Sequence, residues 1–242
     1  EGLYEDIAER MVGDIDFIFS QSDYPKAIEI LNSSSYSKVH KTTYDYPDFK
    51  HYPRLQKEHR IAAVEIHKEL LIEKFAHEFN YDIIKNDCQI INNIKVMSFN
   101  YQLSLSIIAK QINDDGLYFK DIALRNAYDV FLLSKKTDAK IAFNQFTDLK
   151  NPLTNFLASC FEVFNKVDCL KYVETIESKD YLKTFYTDIE NDSFKKKKQI
   201  KISRTLFLKK RLNMIHKSML NREHRKWLIK RITDKSWHKE KL

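Results

Sequence analysis

Apolar positions in the first hundred residues occur in short alternating runs, which are typical of β-strands separated by turns. Residues 13–19 form a β-rich run that begins with a glycine and predict the first strand. Between residues 24 and 31, apolar positions recur at helical spacing around an early proline, which predicts an amphipathic helix. Further strands are predicted at residues 36–41, 52–57 and 61–69, the last two paired as a hairpin around residues 58–60.

From about residue 98 onward, the apolar period becomes helical. Apolar stripes predict four helices, marked by Leu103, Ile107 and Ile108; by Ile122, Leu124, Tyr128 and Phe131; by Leu153, Phe156, Leu157, Cys160 and Phe164; and by Leu208, Leu212, Ile215 and Met219. The change of period predicts an α+β protein. Its parts are an N-terminal mixed β-sheet core at residues 1–97 and a helical region at residues 98–242.

The composition narrows the class of protein. A hydrophobic content of 43% with 31% charged residues is typical of a globular chain. No run approaches the roughly 20 apolar residues of a membrane-spanning helix. With three glycines, the sequence contains no glycine-rich phosphate loop. Cys88, Cys160 and Cys169 form no CxxC pair, which favours core cysteines in a reducing cytoplasm over a disulfide scaffold or a structural zinc site.

The charge is distributed unevenly along the chain. Residues 191–242 hold 18 Lys and Arg against four acidic residues, a net charge of +14, whereas the rest carries −7. Within residues 195–242 the basic residues are interleaved with Phe207, Trp227 and Trp237, which predicts contact with nucleic acid or with the phosphates of a substrate. The alternatives are a solvated basic face on helices whose apolar stripe packs against the acidic part, and contact with an anionic membrane surface.

Two aspartates, Asp14 and Asp16, lie within the first predicted strand. Because alternate residues of a strand point to the same side, they present two carboxylates on one face, and Ile15, Phe17 and Phe19 are expected to face the core. Aspartate is depleted in strands, and like charges this close repel unless a cation bridges them or a proton neutralises one. The pair therefore indicates either a divalent metal site or solvated acids at a strand edge.

A third carboxylate fits the same pattern. Glu65 and His67 point to one side of a later predicted strand, and Val64 and Ile66 to the other. If the two strands are neighbours, Glu65 completes a three-acid cluster able to hold one or two Mg²⁺ and to activate a hydroxyl for attack on a phosphate. Gly13 leaves room for a ligand near the backbone. An isolated histidine such as His67 is more typical of a polar neighbour than of a ligand. Three further histidines lack metal-ligand spacing and are interpreted as surface or packing residues: His51, His59 and His77.

Several segments of the chain share their motifs with one family. Residues 4–19, with Tyr4-Glu5-Asp6 and Arg10 ahead of Gly13-Asp14-Ile15-Asp16, match the pattern Y-x-D … R-x-x-G-D-I-D-L-L-V. Residues 52–55 and 64–67 match P-x-L … V-E-L-H-W, with Lys68 in place of the tryptophan. These segments resemble the uncharacterised nucleotidyltransferase family of the DNA polymerase β-like superfamily. Residues 124–130 are similar to a weaker helical motif of this family and of related antitoxin-controlled nucleotidyltransferases.

The resemblance covers about residues 3–135 and is most specific in its first 70 residues. It implies a mixed-sheet nucleotidyltransferase core with Asp14, Asp16 and Glu65 as catalytic metal ligands. The implied cofactor is Mg²⁺ in a two-metal site, and the implied substrate is a nucleoside triphosphate.

The resemblance also suggests residues that line the nucleotide. Arg10 would contact phosphate or the metal ligands, and Gly13 and His67 would line the same site. Family members carry a phosphate-binding Lys-Gly pair upstream of the two aspartates. We therefore expect the full-length protein to have residues upstream of Glu1 that hold this pair.

Three hypotheses of function follow from the sequence. The first is an Mg²⁺-dependent nucleotidyltransferase that moves a nucleoside monophosphate from a triphosphate to an unknown acceptor. The second is a degenerate nucleotidyltransferase fold that binds nucleic acid or another acidic partner. The third is a metal-independent ribonuclease of the HEPN type, based on the spacing of Arg211 and His216. The sequence names neither the acceptor nor the base.

Overall fold

The computed structural model describes residues 3–10, 13–39, 47–71 and 74–234. It shows an α+β protein with a mixed four-stranded sheet in its N-terminal part and mostly helices in its C-terminal part, which confirms the predicted fold class. The predicted order of strand, helix and three further strands is also confirmed: β1 (Asp14–Ile18), α1 (Tyr24–Ser33), β2 (Ser37–Lys38), β3 (Leu55–Gln56) and β4 (Ala63–His67).

The strands of this sheet follow the order β1-β4-β3-β2. Strand β1 runs parallel to β4, and the other pairings are antiparallel, as expected for the predicted hairpin between β3 and β4. In the parallel pair, Asp16 lies opposite Glu65, and Ile18 lies opposite His67. Residues 40 and 41 of the strand predicted at residues 36–41 lie outside the described part of the chain.

The core of the sheet differs from the prediction at β1. Helix α1 packs on β4, and its Ala27 is buried with Val64 and Ile66. Phe19 packs against this core as expected, but Ile15 is 44% exposed and Phe17 is 40% exposed. The prediction for these two residues was wrong because β1 is the outer strand of the described sheet, and the helix does not cover its whole apolar face.

A helical part follows the sheet. It contains a 3₁₀ turn (Asp168–Leu170), a π-helical turn (Ala109–Asn113) and the hairpin of β5 (Cys88–Ile91) and β6 (Ile94–Met97). Its helices are α2 (Tyr81–Ile84), α3 (Phe99–Ile108), α4 (Gly116–Phe119), α5 (Leu124–Ser134), α6 (Ala139–Phe143), α7 (Lys150–Val163), α8 (Ile176–Glu190), α9 (Asp192–Leu220) and α10 (Arg222–Thr233).

Helices α3 and α7 bury the predicted stripes. Leu103 and Ile107 are fully buried, as are Leu153 and Phe156. Helix α5 forms as predicted but turns another face inward, because its buried residues are Ala127, Val130 and Leu133, whereas Leu124 and Tyr128 of the predicted stripe are exposed. A stripe on one helix therefore does not settle which face packs when several helices meet.

Helices α9 and α10 carry most of the basic segment. The predicted apolar stripe of α9 is exposed, from 49% at Ile215 to 71% at Met219, with Leu208 and Leu212 between these values. The alternative in which this stripe packs against the acidic part is thus wrong for the described residues. Trp237 lies in residues 235–242, outside the described part of the chain.

The chain divides into two compact units, which we call the sheet unit and the helical unit. The sheet unit comprises Val12–Glu69 and Ile200–Leu242, and the helical unit comprises Glu1–Met11 and Leu70–Gln199. The division at residue 97 remains a prediction from periodicity, and these units group the chain by contact instead. No helix of the described residues combines the length and the apolar character needed to cross a membrane.

Candidate metal and nucleotide site

The parallel pair of β1 and β4 brings the predicted acids together. The strand period places Asp14 and Asp16 on one face of β1, and Glu65 and His67 on the same face of β4. The adjacency on which the three-acid cluster depended is therefore present, and it arises from pairing between strands that are about 50 residues apart in the chain.

His67 links the carboxylates of the two strands. Its Nε2 lies 3.1 Å from Oδ1 of Asp16 and 3.6 Å from Oε2 of Glu65. One ligand atom from each of these three residues lies within 4.8 Å of the other two, so the group is compact enough to surround one cation. Asp16 remains open to solvent, because 64% of its side chain is exposed, whereas Glu65 is 14% exposed.

The environment of Asp16 favours its charged form. The hydrogen bond from His67 lowers the pKa of the Asp16 carboxyl below its usual value. Burial acts in the opposite direction, and the charges of His67, His51 and Lys50 add to the lowering. Asp16 is thus an ionised and accessible carboxylate at neutral pH.

Arg54 is a residue of the site that the sequence analysis did not single out. It directly precedes β3, and its Nε donates to Oε1 of Glu65 at 3.0 Å, while a terminal nitrogen donates to Oδ2 of Asp14. Both carboxylates raise the pKa of Arg54, with the hydrogen bond to Glu65 as the largest contribution. The predicted hairpin around residues 58–60 was the signal available, since its register, with Leu55 opposite Val64, carries Arg54 to Glu65.

His51, which was interpreted as a surface or packing residue, packs beside the acidic cluster. Its Nε2 lies 3.6 Å from Oε2 of Glu65, and its ring centroid lies 4.9 Å from that of His67. An isolated antiparallel bridge between His51 and His67 holds the two residues side by side. The spacing along the chain could not reveal this pairing, because it arises only where the segment before β3 meets the end of β4.

Gly13 and Arg10, two further predicted site residues, have surroundings that differ from those of the acidic cluster. Apart from the chain neighbours of Gly13, no atom of the described residues lies within 4 Å of the position that a Cβ at Gly13 would occupy. The space beside the start of β1 is therefore open among these residues. Arg10 belongs to the helical unit, where its guanidinium lies 3.3 Å from Oδ2 of Asp129 on α5. Its predicted contact with phosphate remains a prediction.

A second group of possible metal ligands lies in the helical unit and consists of His77, Glu78 and Asp148. Both carboxylate oxygens of Glu78 already accept backbone N–H groups, at 2.7 to 2.9 Å, from Thr147, Asp148 and Leu149. This carboxylate caps the start of α7, which explains its position without a cation.

The carboxylates of the cluster are suitable ligands for Mg²⁺, whereas the imidazole of His67 is not. Mg²⁺ prefers carboxylate oxygens, which Asp14, Asp16 and Glu65 offer on one face. Imidazole nitrogen is a poorer ligand for this ion. His67 is therefore better suited to orient Asp16 through the hydrogen bond that it makes here than to bind Mg²⁺ itself.

The protein therefore belongs to the class of α+β folds in which a mixed sheet presents an acidic cluster on a pair of parallel strands. More specifically, the chain belongs to the uncharacterised nucleotidyltransferase family, whose family model matches residues 1–163. The match extends beyond the predicted resemblance, through all strands of the sheet to the end of α7. Comparison with curated proteins and with solved structures found no match.

Proposed function

We propose that the protein is an Mg²⁺-dependent nucleotidyltransferase that moves a nucleoside monophosphate from a nucleoside triphosphate to an acceptor. The observation that carries this proposal is the acidic face of the β1–β4 pair. On this face Asp16 lies opposite Glu65, and Asp14 is the preceding residue of β1 that points to the same side. Family membership supports the class of reaction.

The carboxylates would act mainly through their positions. Asp14 and Asp16 would hold cations against the triphosphate, and Glu65 would favour loss of the proton from the acceptor hydroxyl. When bound, Mg²⁺ would neutralise charge on the phosphates. The acceptor oxygen would then form a bond to the α-phosphorus as the bond to the departing pyrophosphate breaks. The open space beside Gly13 would leave room for the triphosphate, while His67 would keep Asp16 oriented.

Calorimetry with Mg²⁺ and each of the four nucleoside triphosphates tests the site. We expect binding to the wild type to depend on Mg²⁺ and to weaken about tenfold or more in Asp16→Asn and in Glu65→Gln. The matched control is Glu58→Gln, in which the same change is made in the sheet unit at a side chain that is 87% exposed. Binding that is equal in Glu65→Gln and Glu58→Gln would contradict the proposal.

The second candidate function is a binding module, favoured by the exposed Lys and Arg of α9 and α10. Within the sheet unit these helices contact Asp48, whose Oδ2 accepts from Nζ of Lys217 at 2.7 Å and from Nε2 of His224 at 2.8 Å. Binding of RNA that persists unchanged in Asp16→Asn, without any binding of triphosphate, would favour this candidate over the enzyme.

The ribonuclease hypothesis has less support from the site. Arg211 and His216 both lie on α9, and the hypothesis rests on their spacing alone. The guanidinium of Arg211 lies over the ring of Phe207, 4.7 Å from its centroid.

A further inference from the structure

Arg54 divides the acidic cluster into two halves. Its guanidinium binds Asp14 and one oxygen of Glu65, Oε1. The other oxygen of Glu65, Oε2, faces His67 and His51 at 3.6 Å each. The compact group within 4.8 Å consists of Asp16, Glu65 and His67, so in the described residues Asp14 belongs to the half that Arg54 occupies.

The guanidinium is a permanent positive charge, since arginine does not lose its proton in proteins. It therefore offsets part of the negative charge of Asp14 and Glu65 without any metal ion and holds the two carboxylates in register across β4. The same charge opposes a divalent cation, which would have to share these oxygens with Arg54 or displace it.

The planar fork of arginine matches phosphate oxygens as well as it matches carboxylates. A triphosphate that entered the site would offer Arg54 a replacement for the carboxylates that it gives up. The side chain of Arg54 is 45% exposed, so it has room to turn toward a ligand without unpacking the core.

We propose that Arg54 is a positioning residue that serves as an exchangeable counter-ion: it holds Asp14 and Glu65 before a cation binds, and it passes to the nucleotide's phosphates when cation and nucleotide are both present. This inference rests on the proposed nucleotidyltransferase function. Its consequence is that Arg54 weakens cation binding to the free protein and strengthens triphosphate binding to the cation-loaded protein, which makes the two ligands cooperative.

Two titrations of the full chain test this proposal. The first measures Mn²⁺ binding alone, and the second measures binding of inorganic tripolyphosphate at saturating Mn²⁺, since this anion is the part that all nucleoside triphosphates share. In Arg54→Gln we expect Mn²⁺ to bind about tenfold more tightly than in the wild type, and tripolyphosphate to bind about tenfold more weakly. A residue with a purely structural role would not move the two constants in opposite directions.

The control is Arg60→Gln, which removes one guanidinium from an exposed turn of the same unit and should change neither constant. If Arg54→Gln fails to fold, Arg54→Lys serves in its place. It keeps the charge but loses the fork, so the same two opposite changes are expected at about two- to threefold.

The outcomes separate this inference from the proposed function. If Mn²⁺ and triphosphate bind the wild type and depend on Asp16, but Arg54→Gln binds Mn²⁺ no more tightly, only the role of Arg54 is overturned. Unchanged binding of tripolyphosphate in Arg54→Gln overturns it as well. If neither protein binds Mn²⁺ or triphosphate, both the role of Arg54 and the proposed function are overturned.

Discussion

Asp129 on α5 shows how burial controls the charge of a single residue. Burial raises the pKa of its carboxyl to about 6, although Tyr4 donates a hydrogen bond to it and the guanidinium of Arg10 lies 3.3 Å away. Two residues near the start of the chain are thus fixed on a helix more than 100 residues later.

The pH dependence of stability should reveal this carboxyl. Between about pH 4 and pH 6 the carboxyl of Asp129 is protonated in the folded protein and ionised in the unfolded chain. The stabilisation from this proton is therefore fully present at about pH 4 and is lost as pH rises through 6. Relative to Asp129→Asn, the free energy of unfolding of the wild type should fall by about 1 to 3 kcal/mol over this range. Urea denaturation at stepped pH measures the difference.

The control for this experiment is Asp82→Asn, which removes a carboxylate whose side chain is 81% exposed in the helical unit. Its profile should parallel that of the wild type. Parallel profiles for the wild type and Asp129→Asn would contradict the raised pKa.

At the scale of elements, the start of α7 depends on a residue from outside the helix. Leu149 stands at its N-cap and has no side chain that can accept a hydrogen bond, while Glu78 accepts the N–H groups of Thr147, Asp148 and Leu149. The buried carboxylate also lies at the positive end of the helix dipole. The helix therefore begins where a distant segment supplies its cap.

Glu78→Gln should lower the free energy of unfolding by about 1 to 2 kcal/mol at pH 7, because a neutral amide satisfies fewer of these N–H groups. Burial raises the pKa of Glu78, but the hydrogen bonds from Asp148, Leu149 and Thr147 outweigh it and hold the pKa below its usual value. The stabilisation is thus present above about pH 4.5 and lost as pH falls further, the opposite trend to that of Asp129.

Denaturation curves at pH 7 and pH 3 measure this effect. The difference between the wild type and Glu78→Gln should shrink at pH 3. Glu29→Gln, at an exposed position of α1, should match the wild type at both values. A difference that persists at pH 3 would contradict the role of the carboxylate charge.

At the scale of the whole molecule, the dominant feature is the separation of charge between residues 191–242 and the rest of the chain. Most of the basic side chains of α9 and α10 are exposed, and the ion pairs on these helices include Lys196 with Asp192 and Lys226 with Glu223. The acidic cluster of the sheet unit and this basic surface would attract different ligands, a cation and a polyanion.

Binding of a single-stranded RNA oligonucleotide should weaken with salt, and four substitutions on α9 should reduce the salt slope. The variant replaces with glutamine Lys197, Lys201, Arg204 and Lys209. For single strands, removing one side chain that neutralises a phosphate lowers the slope of log affinity against log salt by about 0.7. A filter-binding series from low to physiological salt measures the slope.

The matched control replaces with glutamine four exposed lysines of the helical unit: Lys136, Lys140, Lys150 and Lys183. It removes the same charge from elements other than α9 and should leave the slope unchanged. If both variants lower the slope by the same amount, the binding reflects net charge alone and the basic surface of α9 is not a site.

The sequence could predict most of the secondary structure and the main acids of the site. Asp14 and Asp16 stand out because alternation along a strand is a local property, and the stripes of α3 and α7 stand out because helical period is local too. The resemblance to the nucleotidyltransferase family rests on the same short runs, and the family match over residues 1–163 confirms it.

The tertiary structure alone decided the properties that depend on pairing between distant segments. It set the register of β1 against β4, which determined that Asp16 faces Glu65, and it brought Arg54 and His51 to the cluster, neither of which was a predicted site residue. It also left Phe17 exposed. Contacts between distant segments depend on how whole elements pack, and no periodicity within one element contains that information.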